Sequence, residues 1–167
     1  MKKFAPLLIV IVIIVLIVTL FLSLGNAQKM VVIKEGNLKK VPLKMEINKC
    51  QDSFCGMVIT ELTYASQVVG PDGKTWFFHD HGDFVEWLKD KPFAKDAVIW
   101  VMSRDTRRWI DGRKAYYTVN ELTPMGYGFG AYEKKGEGMI DFESMRLKVL
   151  RGETMKDPKI RKQLLGK

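Results

Sequence analysis

Residues Phe4 to Leu24 carry no charge and are almost wholly Leu, Ile and Val. About 20 such residues, at roughly 1.5 Å rise each in a helix, cover the roughly 30 Å hydrocarbon core of a bilayer. This run predicts an N-terminal signal-anchor helix over 1–25, touching the membrane through residues 4–24. A cleaved signal peptide is the competing reading. Its apolar core is usually about 7–15 residues, shorter than this one, although Gly25-Asn26-Ala27 has the small-x-small form of a cleavage site. No cysteine lies near the end of the run, so no lipid-modified N-terminus is expected. Lys2 and Lys3 favour a cytoplasmic start, whereas Lys29, Lys34, Lys39, Lys40 and Lys44 pull the other way. The signal-like order of basic start and apolar run predicts export of the remainder.

The chain has 167 residues, enough for one compact domain with appendages. A Lys-rich linker is expected over 26–44, a folded domain over 45–152 and a basic tail over 153–167. The net charge of +8 comes largely from the two ends. The tail segment Lys156-Asp-Pro-Lys159-Ile-Arg161-Lys162 contains no aromatic residue, so a nucleic-acid surface, which interleaves cations with aromatics, is not expected. A solvated tail, or one lying against anionic headgroups, accounts for the charge.

Inside the domain one pattern occurs twice. Asp72-Gly-Lys-Thr-Trp-Phe-Phe78 aligns with Asp111-Gly-Arg-Lys-Ala-Tyr-Tyr117. Asp-Gly between apolar runs predicts a hairpin, because the turn needs positive φ. The first hairpin is predicted to pair Tyr64–Val69 with Thr75–Phe78, and the second to pair the residues up to Ile110 with Ala115–Val119. Helices are predicted over Asp83–Asp90 and Asp141–Leu150, each with an acidic start, the second stopped by Gly152. Ala97–Met102 reads as a central strand. The fold class is α+β.

The only two cysteines lie in Cys50-Gln-Asp-Ser-Phe-Cys55-Gly-Met57. Thiolate and thioether sulfur are soft donors that favour Cu(I) over harder ions. Met125, between Pro124 and Gly126 in a glycine-rich run, is a second candidate thioether. A structural disulfide between Cys50 and Cys55 is the alternative. A zinc site from Cys50, Cys55, His79 and His81 has enough ligands but no recognised zinc spacing. In extended chain His79 and His81 point to one face, two residues apart. The glycines Gly126, Gly128 and Gly130 lack the context of a dinucleotide or phosphate loop. No nucleophile constellation stands out, so an enzyme is not expected.

Cys55-Gly-Met57, Ala65-Ser-Gln67, the Asp72-Gly-Lys hairpin and Phe77-Phe78 resemble the NosL family of nitrous oxide reductase accessory proteins. So do Trp109-Ile-Asp-Gly-Arg-Lys-Ala115 and Thr123-Pro-Met-Gly-Tyr-Gly-Phe-Gly-Ala131. The resemblance spans Lys49 to Arg151. It implies a fold of two similar β-β-α-β modules, related to part of the organomercurial lyase. It further implies a membrane-attached, exported Cu(I) carrier, with its domain in the periplasm at the inner membrane, whose partner is apo nitrous oxide reductase. By the same resemblance Cys55, Met57 and Met125 are the expected copper ligands, with Cys50, His79 and His81 as further candidates. Two rivals remain: a thiol-redox or organomercurial-lyase-like enzyme using Cys50 and Cys55, and a metal-free tethered interaction module.

Overall fold

The computed structural model describes residues 5–25 and 30–166. Lys2, Lys3, Asn26, Ala27 and Lys29, which entered the reading of orientation and cleavage, lie outside them. Helix α1 covers Ala5–Gly25, 21 residues, or about 31 Å of rise. Its described side chains, Leu8 to Leu22, are exposed. Among the described residues no helix is long and apolar enough to cross a membrane.

The domain is built on a five-stranded antiparallel sheet of β1 (Ile33–Lys34), β2 (Ser66–Val69), β3 (Thr75–Phe78), β4 (Val98–Met102) and β5 (Trp109–Asp111), in the order β1-β3-β2-β4-β5. Strands β2 (Ser66–Val69) and β3 (Thr75–Phe78) form the first Asp-Gly hairpin, in register Ser66↔Phe78 to Val69↔Thr75. Gly73 supplies the left-handed turn residue at φ 78°, a conformation that costs glycine least. Strand β4 (Val98–Met102) flanks β2 on its other side, so the apolar run does form a central strand. Strand β1 (Ile33–Lys34) pairs with β3, which brings part of the expected linker into the sheet. The buried Asn37 side chain donates to Val41 O at 2.7 Å and Thr75 Oγ1 at 3.1 Å, locking that segment down.

The second hairpin differs from expectation. Strand β5 (Trp109–Asp111) pairs with β4, and β6 (Tyr116–Tyr117) pairs with β7 (Ala131–Tyr132) in a separate two-stranded sheet. The reason is local. Gly112 has no positive φ, and its N–H donates to Ile99 O at 2.8 Å. A Cβ there would fall 2.7 Å from Ile99 Cγ2. This glycine serves close approach to β4 instead of a hairpin reversal. Consequently β2, β3, helix α2 (His81–Leu88) and β4 form a β-β-α-β unit, while the second half runs β6, β7 and helix α3 (Phe142–Leu150) and then continues into a further helix.

Helix α2 is His81–Leu88, two residues earlier than predicted, because Asp80 and not Asp83 is its N-cap. Helix α3 is Phe142–Leu150, one residue shorter than predicted because Asp141 is its N-cap, with Gly152 at φ 73° just past its end. The tail contributes an unpredicted helix, α4 (Pro158–Leu165). Asp157 caps it and Pro158 occupies its first turn, where a missing N–H costs nothing.

Consecutive side chains of β3 serve opposite faces of the sheet. Phe78 joins Val68, Ile99, Val101, Phe84, Phe142 and Met145 in the core beneath α2 and α3. Phe77 joins Met45, Cys50, Ile59 and Ala65 on the other face. Each buried phenylalanine contributes about 2–3 kcal/mol of transfer free energy, so the hairpin anchors both cores.

Candidate metal centre

The loop after Cys50 is organised by one carboxylate. Asp52 Oδ1 accepts from Phe54 N at 2.7 Å and from Cys55 N at 3.0 Å, an Asx-type turn that curls the chain. Gly56 at φ 76° completes the reversal, and Asp52 N donates to Met57 O at 2.8 Å. The other oxygen, Asp52 Oδ2, accepts from His79 N and lies against His79 Nδ1, both at 2.8 Å. Asp52 thereby fastens the cysteine loop to the chain leaving β3. Four residues on, in the first turn of α2, Asp83 Oδ2 approaches His79 Nδ1 to 3.3 Å. Cys55 Sγ lies 3.8 Å from the same nitrogen.

Asp52, Cys55, His79 and Asp83 thus offer ligand atoms within 4.8 Å of one another. Asp52, His79 and Asp83 are buried, and Cys55 is partly exposed, so the thiol forms the accessible side of the group. With bonds of about 2.3 Å to sulfur and 2.0 Å to imidazole nitrogen, a 3.8 Å separation corresponds to an angle of roughly 120° at a shared metal ion. Asp52 is saturated by N–H donors and acts best as the group that builds the loop and aims His79. Apart from its 3.3 Å approach to His79 Nδ1, neither oxygen of Asp83 has a polar partner.

The electrostatics follow from this packing. Burial opposes charge on His79, but hydrogen bonding and attraction from Asp52 and Asp83 prevail and raise its pKa to about 9. Burial pushes Asp83 up to about 6, against the pull of His79 and with repulsion from Asp52. Asp52 resists its own burial and is lowered by His79 and the backbone donors. Burial lifts the Cys55 thiol to about 11, and the negative charges of Asp52 and Asp83 add to it. Without metal the group holds its protons, so a metal ion must displace them.

Among the residues singled out from sequence, Cys55 and His79 come together here. Met57 is largely exposed two residues beyond Cys55, its carbonyl tied to Asp52. Half-buried Met125 is positioned by its N–H, which donates to Asp80 Oδ2 at 2.9 Å at the start of α2. Cys50 and His81 lie outside the group. Cys50 is packed between Ile59 and Phe77 in the second core, and both cysteines are free thiols, so no disulfide joins them. His81 is fully buried, its Nδ1 2.7 Å from Ser66 Oγ and its ring edge-on to Tyr64, Phe84 and Tyr117. The four-ligand zinc arrangement is therefore not formed. Sequence reasoning missed Asp52 and Asp83. The available signals were the Asp52–Cys55 spacing of an Asx turn and the i, i+4 spacing of His79 and Asp83.

No protein-family profile matches the sequence, and a search of curated proteins finds no match. Among solved structures, the chain is similar to the crystal structure of the copper chaperone NosL from Shewanella denitrificans, with a TM-score of 0.52 at 18% identity. The match covers 64% of this chain and 85% of that one. The protein has a NosL-like fold.

Proposed function

We propose that the protein is a Cu(I) carrier, with Cys55 as the anchoring ligand, His79 as a second, and thioether sulfur from Met57 and Met125 completing a soft, low-coordinate site. The observation that carries this reading is the partly exposed Cys55 thiol 3.8 Å from His79 Nδ1. The likeness to a copper chaperone supports it. A thiolate at the rim, with exposed Met57 two residues on in the chain, lets copper leave by stepwise exchange: an incoming sulfur replaces one ligand before the next is released. Asp52 keeps the His79 backbone in place during the exchange, through the His79 N–H that it accepts. In the same proposal α1 tethers the domain to the inner membrane on its periplasmic side, and the recipient is apo nitrous oxide reductase, as the family resemblance implies.

Thiol-redox chemistry fits the geometry less well. It calls for an accessible low-pKa thiol, whereas burial raises Cys55 and Cys50 is enclosed in the second core.

The test is a Cu(I) titration of the reduced full chain in detergent against a chromophoric competitor. Wild type should compete at about one copper per chain, Cys55→Ser should lose at least about 100-fold in affinity, and Met125→Ala should lose less. Unchanged affinity in Cys55→Ser would remove the thiol and the proposal with it. A C-terminal reporter active only outside the cytoplasm tests the orientation separately.

A further inference from the structure

We infer that the cleft between α2 and α3 is a binding site for a small amphiphilic anion, a carboxylate or phosphate head on a short apolar body. The site is separate from the metal centre and does not depend on the copper reading. Its cavity of about 310 Å³ falls at the lower end of the roughly 300–1,000 Å³ usual for small-molecule sites. Leu88 from α2 and Phe142 and Leu150 from α3 make an apolar floor, backed by the fully buried Phe84. The Phe84 and Phe142 rings are parallel to within 3° with centroids 6.4 Å apart, so that wall is rigid and preformed.

The mouth has the opposite character. Lys89, Lys95, Arg113 and Arg146 surround it, against a single carboxylate, Glu143. Arg146 is paired with Glu143 at 2.9 Å and Lys89 with Glu86 at 2.8 Å. Lys95 and Arg113 have no carboxylate partner among the described residues. Arg113 is nonetheless held in place. Its Nη2 donates to Ala94 O at 2.8 Å and Ala97 O at 3.4 Å, and its guanidinium lies 5.3 Å from the Phe142 ring centroid. A guanidinium fixed through one nitrogen keeps other donors for a ligand, in a fork that matches carboxylate or phosphate. An apolar floor beneath two uncompensated cations selects an anion with an apolar body. A bare anion gains nothing from the floor, and a neutral apolar molecule leaves the cations unused.

The experiment uses the methyl-labelled full chain in phosphatidylcholine nanodiscs, titrated with phenylbutyrate. Saturable shifts confined to Val85, Leu88 and Leu150 methyls are expected, with phenylbutanamide at least about tenfold weaker. Arg113→Gln with Lys95→Gln should weaken phenylbutyrate by about tenfold or more. Lys95→Gln alone changes only an exposed side chain and should give a smaller loss in the same direction. No saturable shift, equal binding of the amide, or no effect of either variant would overturn the assignment. Repeating the titration in phosphatidylglycerol nanodiscs identifies the source of the head group. Competition by the bilayer points to a lipid headgroup, and unchanged binding points to a free amphiphile; both require the site.

Discussion

Cys50 and Cys55 are the same residue type in one short segment, and the fold gives them opposite surroundings. Cys50 is enclosed by Met45, Ile59 and Phe77, whereas Cys55 faces a charged group and the solvent. Cys50→Ala should therefore cost on the order of 1 kcal/mol through lost packing and leave Cu(I) affinity unchanged, measured by denaturant unfolding and competitor titration. A large affinity loss in that variant would place Cys50 in the site. The pH dependence of binding counts the ligands that must release protons. With His79 near 9 and Cys55 near 11 in the metal-free protein, coordination by both releases two protons below about pH 9. The apparent Kd should then fall by about 100-fold per pH unit between pH 7 and 8.5. In His79→Gln the slope should drop to about tenfold per unit, Cys55 alone remaining. A single-proton slope in wild type, with His79 shown by NMR to titrate near 9 in the metal-free protein, would exclude His79 as a ligand. None of these differences was legible in the spacing of the residues. Burial is decided by β3 and α2, which are remote in sequence from the cysteine loop.

Helix α2 is the element that joins the Asp52–Cys55–His79–Asp83 group to the 123–130 loop. Its cap Asp80 accepts from Gly82 N at 3.1 Å with one oxygen and from Met125 N at 2.9 Å with the other. Gly82 in turn lies directly beneath Tyr127: a Cβ there would fall 2.0 Å from the ring. Gly82→Ala should therefore destabilise the domain by about 1–3 kcal/mol, the usual range for overpacking, by lifting the 123–130 loop from the helix. Adding Tyr127→Ala should remove part of that cost, and the double variant should be more stable than the sum of the single losses. Additive losses would show that the ring and the helix start are independent. The same helix shows what was readable in advance. Its apolar spacing, the acidic start at Asp141 and the first hairpin are local patterns, and they mark the right elements within two residues. The identical Asp-Gly signal at Asp111-Gly112 gave the wrong pairing, because β5 is drawn to β4 by Val101↔Ile110 and Gly112 is pressed onto Ile99. That preference is tertiary, and a turn dipeptide carries no trace of it. The Asp157-Pro158 start of α4 was legible and went unread, outweighed by the charge of the tail.

At the scale of the whole molecule the two histidines impose opposite pH dependences on stability. His79 gains charge partners on folding; its raised pKa contributes stability below about 6.5 that is lost as pH rises through about 9. His81 is the reverse. Full burial, with only Ser66 at Nδ1 and no partner at Nε2, holds its pKa down to about 3. A group depressed in the folded state contributes its stability in full above the unfolded value near 6.5, and loses it as pH falls toward 3. Between those limits the unfolded chain binds the extra proton, so the penalty grows by up to about 1.4 kcal/mol per pH unit. Asp83, raised to about 6, acts oppositely over part of the same range, so wild type alone does not isolate His81. The comparison with His81→Asn does, because Asp83 and His79 are present in both proteins. Whatever the fixed cost of the substitution, the stability of wild type relative to the variant should rise steadily from pH 4 to 6.5 and then level off. Denaturant unfolding of the two metal-free proteins at half-unit pH steps measures that difference. A pH-independent gap would mean that His81 is protonated in the fold, in contact with water or an acid, and that the core between the sheet and α2 is not dry.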